Sequence, residues 1–135
     1  MTVVDTNVMA YLWLPGEFTT AAERLLVDDA EWAVPLLWRS EFRSVLAGAH
    51  KRRALSLPRA NDIAAAAEAQ LRGREYSVET ARVLSLASRS GCSTYDCEFV
   101  GLAHDLGARL VTNDAAVLRA FPDVAVPLRH FASAT

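Results

Sequence analysis

Short apolar segments alternate along this chain with longer segments in which apolar residues recur at helical spacing. Turn-forming residues or helix caps follow the short segments, a pattern that predicts buried strands. Strands that alternate with helices indicate a parallel sheet with helices on both faces. We therefore predict one α/β domain over residues 1–135, with three α/β/α layers and a mostly parallel sheet of four to five strands.

The pattern also places the individual elements. Strands are expected at residues 1–4, 32–34, 109–112 and 124–128, with a possible further strand at 75–77. Helices are expected at residues 9–14, 18–27, 36–46 or slightly beyond, 58–71, 78–90, 95–106 and 115–120. Thr19 or Thr20 is the expected cap of the second helix, and Ser77 is the expected cap of the fifth.

Composition narrows the possible classes of protein. The chain is 52% hydrophobic and 22% charged, which excludes an intrinsically disordered protein. Its net charge of −2 argues against binding nucleic acid through the overall electrostatic field, although nearly all of its basic residues are arginines, which suit phosphate contacts. No apolar segment approaches the roughly 18 residues of a transmembrane helix, and no signal peptide is visible, so we expect a cytoplasmic protein.

The cysteines and histidines form no recognisable site. Cys92 and Cys97 lie near each other in the sequence without a CxxC motif, so we interpret them as reduced, partly buried thiols rather than a redox pair. His50, His104 and His130 lack the spacing of metal ligands, and we interpret them as surface or packing residues.

Four carboxylates lie where an acidic metal site would need them. Asp5 and Asp114 each follow the end of a predicted strand, and Glu41 and Asp96 lie near the starts of predicted helices. In a parallel sheet these positions collect at one edge, where ligands bind. Four carboxylates gathered there would repel one another unless a cation lay between them. The pattern therefore favours a metal-dependent hydrolase.

Each acid also has a structural interpretation. Asp5 and Asp114 can cap the helices that follow them, and Asp96 fits a capping box. Glu41 is the hardest to explain by structure alone, because it borders an apolar helix face, where a charge is costly unless it is paired or bound to metal. A salt bridge from Glu41 to an arginine remains an alternative, and Glu98 is a reserve candidate for the site.

Four segments, in this order along the chain, resemble those of PIN-domain ribonucleases, and most closely the VapC-type toxins of bacterial toxin–antitoxin pairs. The segments are residues 3–8 (VVDTNV), 34–36 with 40–42 (VPL and SEF), 94–96 with 101–103 (TYD and GLA), and 110–114 (LVTND). They span nearly the whole chain. Similar toxins often carry an asparagine shortly after the helix-borne glutamate, where this chain has Arg43-Ser44-Val45.

The resemblance implies a PIN-like fold and a metal-dependent endoribonuclease that acts as the toxin of a type II toxin–antitoxin system. It implies that one or two Mg²⁺ or Mn²⁺ ions are held by Asp5, Glu41, Asp96 and Asp114. It implies RNA as the substrate and a small antitoxin protein as a partner. The content of tryptophan, alanine and leucine suggests exposed apolar surface, and we therefore predict a homodimer. The candidates for contact with the substrate or with the metal ligands are Thr6, Asn7, Thr112, Arg39, Arg43 and Lys51-Arg52-Arg53. For the basic residues, a solvated helix face is an equally good interpretation.

Two other functions remain open at this point. The first is a phosphatase similar to the haloacid dehalogenases, with Asp5 as nucleophile. Such sites usually carry a second aspartate two residues on, where this chain has Asn7. The second is a non-catalytic PIN-like module that binds RNA or protein.

Overall fold

A five-stranded, wholly parallel sheet forms the centre of the computed structural model, which describes residues 1–132. Its strands are β1 (Thr2–Val4), β2 (Trp32–Pro35), β3 (Glu75–Tyr76), β4 (Arg109–Thr112) and β5 (Ala125–Pro127). In space they follow the order β3-β2-β1-β4-β5, so β1 lies in the middle. Every neighbouring pair is parallel, and the carboxyl ends of all five strands therefore meet at one edge.

Seven α-helices accompany the sheet in the described residues. They are α1 (Thr6–Trp13), α2 (Thr19–Asp28), α3 (Trp38–Lys51), α4 (Leu57–Gln70), α5 (Thr80–Ser90), α6 (Thr94–Leu106) and α7 (Ala115–Ala120). Consecutive strand residues point to opposite faces, and Val3 and Val4 are both fully buried, so both faces of the sheet are covered. The predicted α/β class is confirmed. Within residues 1–132, no helix is both long and apolar enough to cross a membrane.

The start of α1 differs from the prediction. It begins at Thr6, three residues before the predicted start at residue 9, because the Asp5 carboxylate accepts a hydrogen bond from the Val8 N–H at 3.0 Å. The predicted threonine cap of α2 is wrong. The Thr19 hydroxyl donates instead to the Tyr11 carbonyl at 2.7 Å, which ties α2 to α1.

Two further boundaries also differ. Ser77 does not cap α5, which begins at Thr80 without a side-chain cap. The last strand ends at Pro127, and the 3₁₀-helix Leu128–Phe131 follows it. The Asn113 side chain accepts a hydrogen bond from the Leu128 N–H at 3.1 Å, which fixes this bend. The possible strand at residues 75–77 is present as β3.

Helices α5 and α6 approach each other closely at Gly101. A Cβ atom at this position would lie 3.0 Å from Val78 Cγ1 and 3.1 Å from Arg82 Cγ. A methyl group at this position would fit only if the Val78 and Arg82 side chains gave way by a few tenths of an ångström. Glycine therefore allows α6, which carries Asp96 in its first turn, to pack closely against these side chains.

Candidate active site

A cleft of about 410 Å³ opens at the carboxyl edge of the sheet, beside the ends of β1 and β4. All four predicted carboxylates line it. The polar residues Thr6, Asn7 and Thr112 line it as well. Within residues 1–132, no lysine or arginine contributes to the lining, which makes the cleft strongly acidic. The folded chain therefore brings together residues that are more than 100 positions apart in sequence.

Asp5 lies where β1 meets α1, and both of its carboxylate oxygens are engaged. One accepts from the Val8 N–H at 3.0 Å, and the other accepts from the Thr112 hydroxyl. Burial raises the pKa of Asp5 to about 6, and repulsion from Asp114 and Glu41 adds to this rise, while the two hydrogen bonds oppose it. The surroundings of Asp5 therefore disfavour its charged form.

Glu41 approaches the cleft from α3 and is fixed by one hydroxyl. The Thr6 hydroxyl donates to the Glu41 carboxylate at 2.7 Å. This bond joins the first turn of α3 to the first turn of α1, and it explains how a charge is accommodated beside an apolar face. Among the described residues no arginine pairs with Glu41, so the alternative of a salt bridge is wrong. Glu98 does not line the cleft, although burial, and then repulsion from Glu41, raises its pKa.

Asp96 and Asp114 both lie at the starts of helices. Ser93 caps α6 and accepts a hydrogen bond from the Asp96 N–H at 3.0 Å. Asp114 caps α7 by accepting from the Val117 N–H at 3.0 Å. Burial, and then repulsion from Asp114, raises the pKa of Asp96. Asp114 therefore caps a helix and faces the cleft at the same time, whereas at Asp96 the cap is the Ser93 hydroxyl, and no hydrogen bond from the Ser93 N–H to the Asp96 carboxylate is found in residues 1–132.

Thr112 connects two of the acids. Its side chain is buried at the end of β4, and its hydroxyl donates to the Asp5 carboxylate. The same oxygen accepts from the Asp114 N–H at 3.0 Å. One hydroxyl thus orients a carboxylate on the central strand and holds the backbone of the next acidic residue.

The predicted basic contacts lie outside the cleft lining. The Arg39 guanidinium binds Glu75 through two hydrogen bonds, at 2.6 and 2.8 Å, and Glu68 through a third at 3.0 Å. Arg43 is exposed to solvent. Lys51 lies at the far end of α3, about 15 Å along the helix axis from Glu41. RNA contact by these residues stays a prediction.

Sequence reasoning missed part of the lining. Ser44 and Val45 line the cleft from α3, and Phe99 lines it from α6. A signal was available, because Ser44 lies three residues after Glu41 and Phe99 lies three after Asp96, so each pair shares one helix face.

The chemistry of the donors decides which ion fits. Within residues 1–132, no three Asp, Glu, His or Cys side chains lie close enough to enclose one ion on their own. Mg²⁺ does not need such a cage, because it keeps several waters and binds through one or two carboxylates together with substrate phosphates. The oxygen-only donors and their mutual repulsion therefore fit a hydrated Mg²⁺ or Mn²⁺ ion.

The architecture agrees with that of a known family. The family model of the PIN domain matches residues 2–125. This chain belongs to the PIN domain family. The resemblance seen in the sequence is confirmed, and a PIN domain replaces the haloacid-dehalogenase alternative.

Solved structures share the fold of this PIN domain at low sequence identity. PAE2754 from Pyrobaculum aerophilum superposes with a TM-score of 0.74 and 18% identity, over 97% of this chain and 96% of that one. A toxin–antitoxin complex from Klebsiella pneumoniae superposes with a TM-score of 0.66 and 16% identity, over 95% of this chain and 98% of that one. No curated protein matches the chain.

Proposed function

We propose that this PIN domain is a Mg²⁺- or Mn²⁺-dependent endoribonuclease and the toxin of a type II toxin–antitoxin pair. The observation that carries the proposal is the convergence of four carboxylates in one cleft without a basic side chain in its described lining. The fold shared with a chain of a toxin–antitoxin complex supports the role as a toxin.

The four acids would act together in this proposal. Asp5 and Asp114, which follow the ends of β1 and β4, would hold the cation together with Glu41 from α3 and Asp96 from α6. A bound cation supplies the charge that activates water and offsets the negative charge gained by the phosphate. Thr6 and Thr112 keep Glu41 and Asp5 in position, so the acids need little rearrangement when substrate enters. Asn7 lines the same cleft and supplies an amide for the phosphate or its waters.

Cleavage of a mixed RNA pool tests the proposal. Purified protein, free of any bound partner, is incubated with Mg²⁺ or Mn²⁺, with EDTA and an Asp5→Asn variant as controls. Cleavage that is lost in both controls is expected. If folded protein leaves the whole pool intact with either ion, the non-catalytic binding module becomes the better description.

Replacing Thr112 by valine tests the link between Asp5 and Asp114. We expect RNA cleavage to fall about 10- to 100-fold, because Asp5 loses the hydroxyl that orients it. The free energy of unfolding should fall by about 1 kcal/mol, because the Asp114 N–H loses its acceptor. Thr112→Ser keeps the hydroxyl and should retain most of the cleavage. Cleavage rates and urea unfolding measure both effects, and an unchanged rate in Thr112→Val would contradict this role.

An apolar groove offers a surface for the antitoxin. It measures about 360 Å³ and lies between α1, α2 and α4, with the lining residues Leu12, Trp13, Leu26, Ala66 and Gln70. A groove of this kind accommodates the apolar face of a helix. Large apolar side chains that are also exposed elsewhere support the proposed homodimer, namely Leu36, Leu57 and Leu84. Light scattering that shows a monomer at micromolar concentration would argue against the dimer.

A charge in the groove should disrupt antitoxin binding. We expect Ala66→Glu to weaken binding of the antitoxin by about 10²-fold, because the carboxylate would be buried without a partner. Ala65→Glu is the matched control, since Ala65 is the adjacent residue and is exposed. Titration calorimetry with the purified partner measures both variants. Equal affinities for the two variants would place the interface elsewhere.

A further inference from the structure

One face of α3 leads from the acidic cleft to an arginine at the end of the helix. Glu41 and Val45 lie on this face and line the cleft. Gly48 and Arg52 follow them at intervals of three and four residues, which keeps these positions on one side of the helix. The surface of α3 beyond the cleft therefore passes over Gly48 and reaches Arg52.

Gly48 lies inside α3, where glycine is unfavourable. In a helix interior glycine is less stable than alanine, because it loses more backbone entropy on folding. A Cβ atom at position 48 would lie 3.3 Å from Nη1 of Arg52, and no other element in residues 1–132 comes within 4 Å of it. Close packing against another element therefore does not explain this glycine. The same distance shows that the Arg52 side chain folds back over Gly48, toward the cleft.

The Arg52 guanidinium is available for a ligand. Other arginines, such as Arg39 and Arg109, form ion pairs with carboxylates, whereas Arg52 forms none within residues 1–132. At the level of Gly48, its guanidinium lies about 10 Å along the helix axis from Glu41. It is too distant to neutralise the cleft, yet a strand held there would bring a neighbouring phosphate to it. Arginine binds phosphate through two parallel hydrogen bonds.

The other candidate arginines of α3 face elsewhere. Arg43 lies two positions after Glu41, about 160° around the helix from it, and is exposed to solvent. Arg39 lies two positions before Glu41, and its guanidinium is bound by Glu75. The helix geometry therefore distinguishes Arg52 from both of these residues.

We propose that Arg52 binds a phosphate of the RNA strand that neighbours the phosphate in the cleft, and that the strand runs over Gly48 between them. The inference rests on the proposed ribonuclease function. Four carboxylates repel a phosphate backbone, and no lysine or arginine lies in the described lining, so the positive charge that holds the strand has to lie outside the cleft. Arg52 is thus a substrate-binding residue, and the acids remain responsible for cleavage.

Salt dependence in a background that does not cleave tests the contact directly. The Asp5→Asn variant is titrated with fluorescein-labelled oligouridylate at several KCl concentrations, and anisotropy is recorded. We expect the further change Arg52→Ala to weaken binding about 10-fold at low salt. It should also reduce the slope of log affinity against log salt by about 0.7, the value for one phosphate of a single strand. Arg43→Ala removes the same charge from the opposite side of α3 and should leave the slope unchanged. Equal slopes for the two variants would overturn the inference.

A carboxylate at position 48 tests the path along the helix. Gly48→Glu places an acid one turn before Arg52, where the two side chains pair on one helix face. RNA binding should fall at least as far as in Arg52→Ala, whereas the midpoint of urea unfolding should rise because a helix glycine is removed. Ala47→Glu is the matched control, since Ala47 is exposed and its new acid pairs with Lys51 on another side of α3. Equal loss of binding in both variants would contradict the proposed path.

An RNA with one neutral linkage identifies the phosphate. Oligouridylates with a single methylphosphonate in place of a phosphodiester are compared, and at one position the change should weaken binding to Asp5→Asn by the same factor as Arg52→Ala. Combining that RNA with Arg52→Ala should add no further loss. Fully additive losses at every position would overturn the inference. The proposed function fails separately, if the wild-type protein cleaves no RNA.

Discussion

Asparagine at position 5 is expected to abolish cleavage and to stabilise the fold at the same time. Cleavage should fall about 10³-fold or more, because the cation loses a carboxylate at the centre of the cleft. The free energy of unfolding at neutral pH should rise by about 1–2 kcal/mol, because a buried charge that its neighbours repel is removed. A site arranged for chemistry commonly reduces stability in this way.

The pH dependence separates this explanation from a general effect of the substitution. The pKa of Asp5 in the folded protein is about 6, above the value of about 3.9 in an unfolded chain. Its contribution to stability is therefore fully present below pH about 4 and is lost as the pH rises through about 6. The advantage of Asp5→Asn should grow across that interval in urea unfolding with EDTA. Asp62→Asn, on the exposed side of α4, is the control substitution, and a destabilised Asp5→Asn would refute the account.

Truncation of Glu75 is expected to destabilise the fold by about 2 kcal/mol. Glu75 is the first residue of β3, and its side chain is 14% exposed. It accepts two hydrogen bonds from Arg39 and one from the Trp38 indole N–H at 2.7 Å. Glu75→Ala leaves the buried indole without an acceptor and frees the edge strand from α3.

The same arginine provides a control and a second pH test. Glu68→Ala removes the other partner of Arg39, but both side chains of that pair are more than 30% exposed, so the loss should stay below about 0.5 kcal/mol. The hydrogen bonds from Arg39, and then from Trp38, lower the pKa of Glu75. Its contribution is therefore present above pH about 4.3 and is lost as the pH falls through the lower folded value. Urea unfolding should show the deficit of Glu75→Ala shrinking in acid, opposite in sense to Asp5.

The fold was largely predictable because local patterns determine it. Buried strands such as β1 appear in the sequence as short apolar segments. Asp5 and Asp114 each follow such a segment, which predicts that both lie at the carboxyl edge of the sheet. Helix starts were less predictable. Thr19 has the character of a cap, yet the carbonyl of Tyr11 lies within reach in the folded chain and takes its hydroxyl.

The partners of the site residues were not predictable from the sequence, because they come from distant parts of the chain. The sequence shows that Glu41 borders an apolar helix face, but the Thr6 hydroxyl that holds it lies 35 residues away. The sequence makes Arg39 a candidate for RNA contact, because its partner Glu75 lies 36 residues further on and gives no local sign of the pairing. The spacing of apolar and polar residues within one segment cannot reveal a partner in a distant segment.

The central place of β1 has a consequence for the order of synthesis. β1 precedes the other four strands in the chain, yet one of its two neighbours in the sheet is β4, and Thr2 pairs with Arg109. A chain that has left the ribosome only as far as α5 contains Asp5, Glu41 and β2 but lacks the other two acids and β4. Such long-range pairing forms late. An incomplete product therefore lacks half of the carboxylates that line the cleft, and the cleft is complete only after β4 and Asp114 have been added.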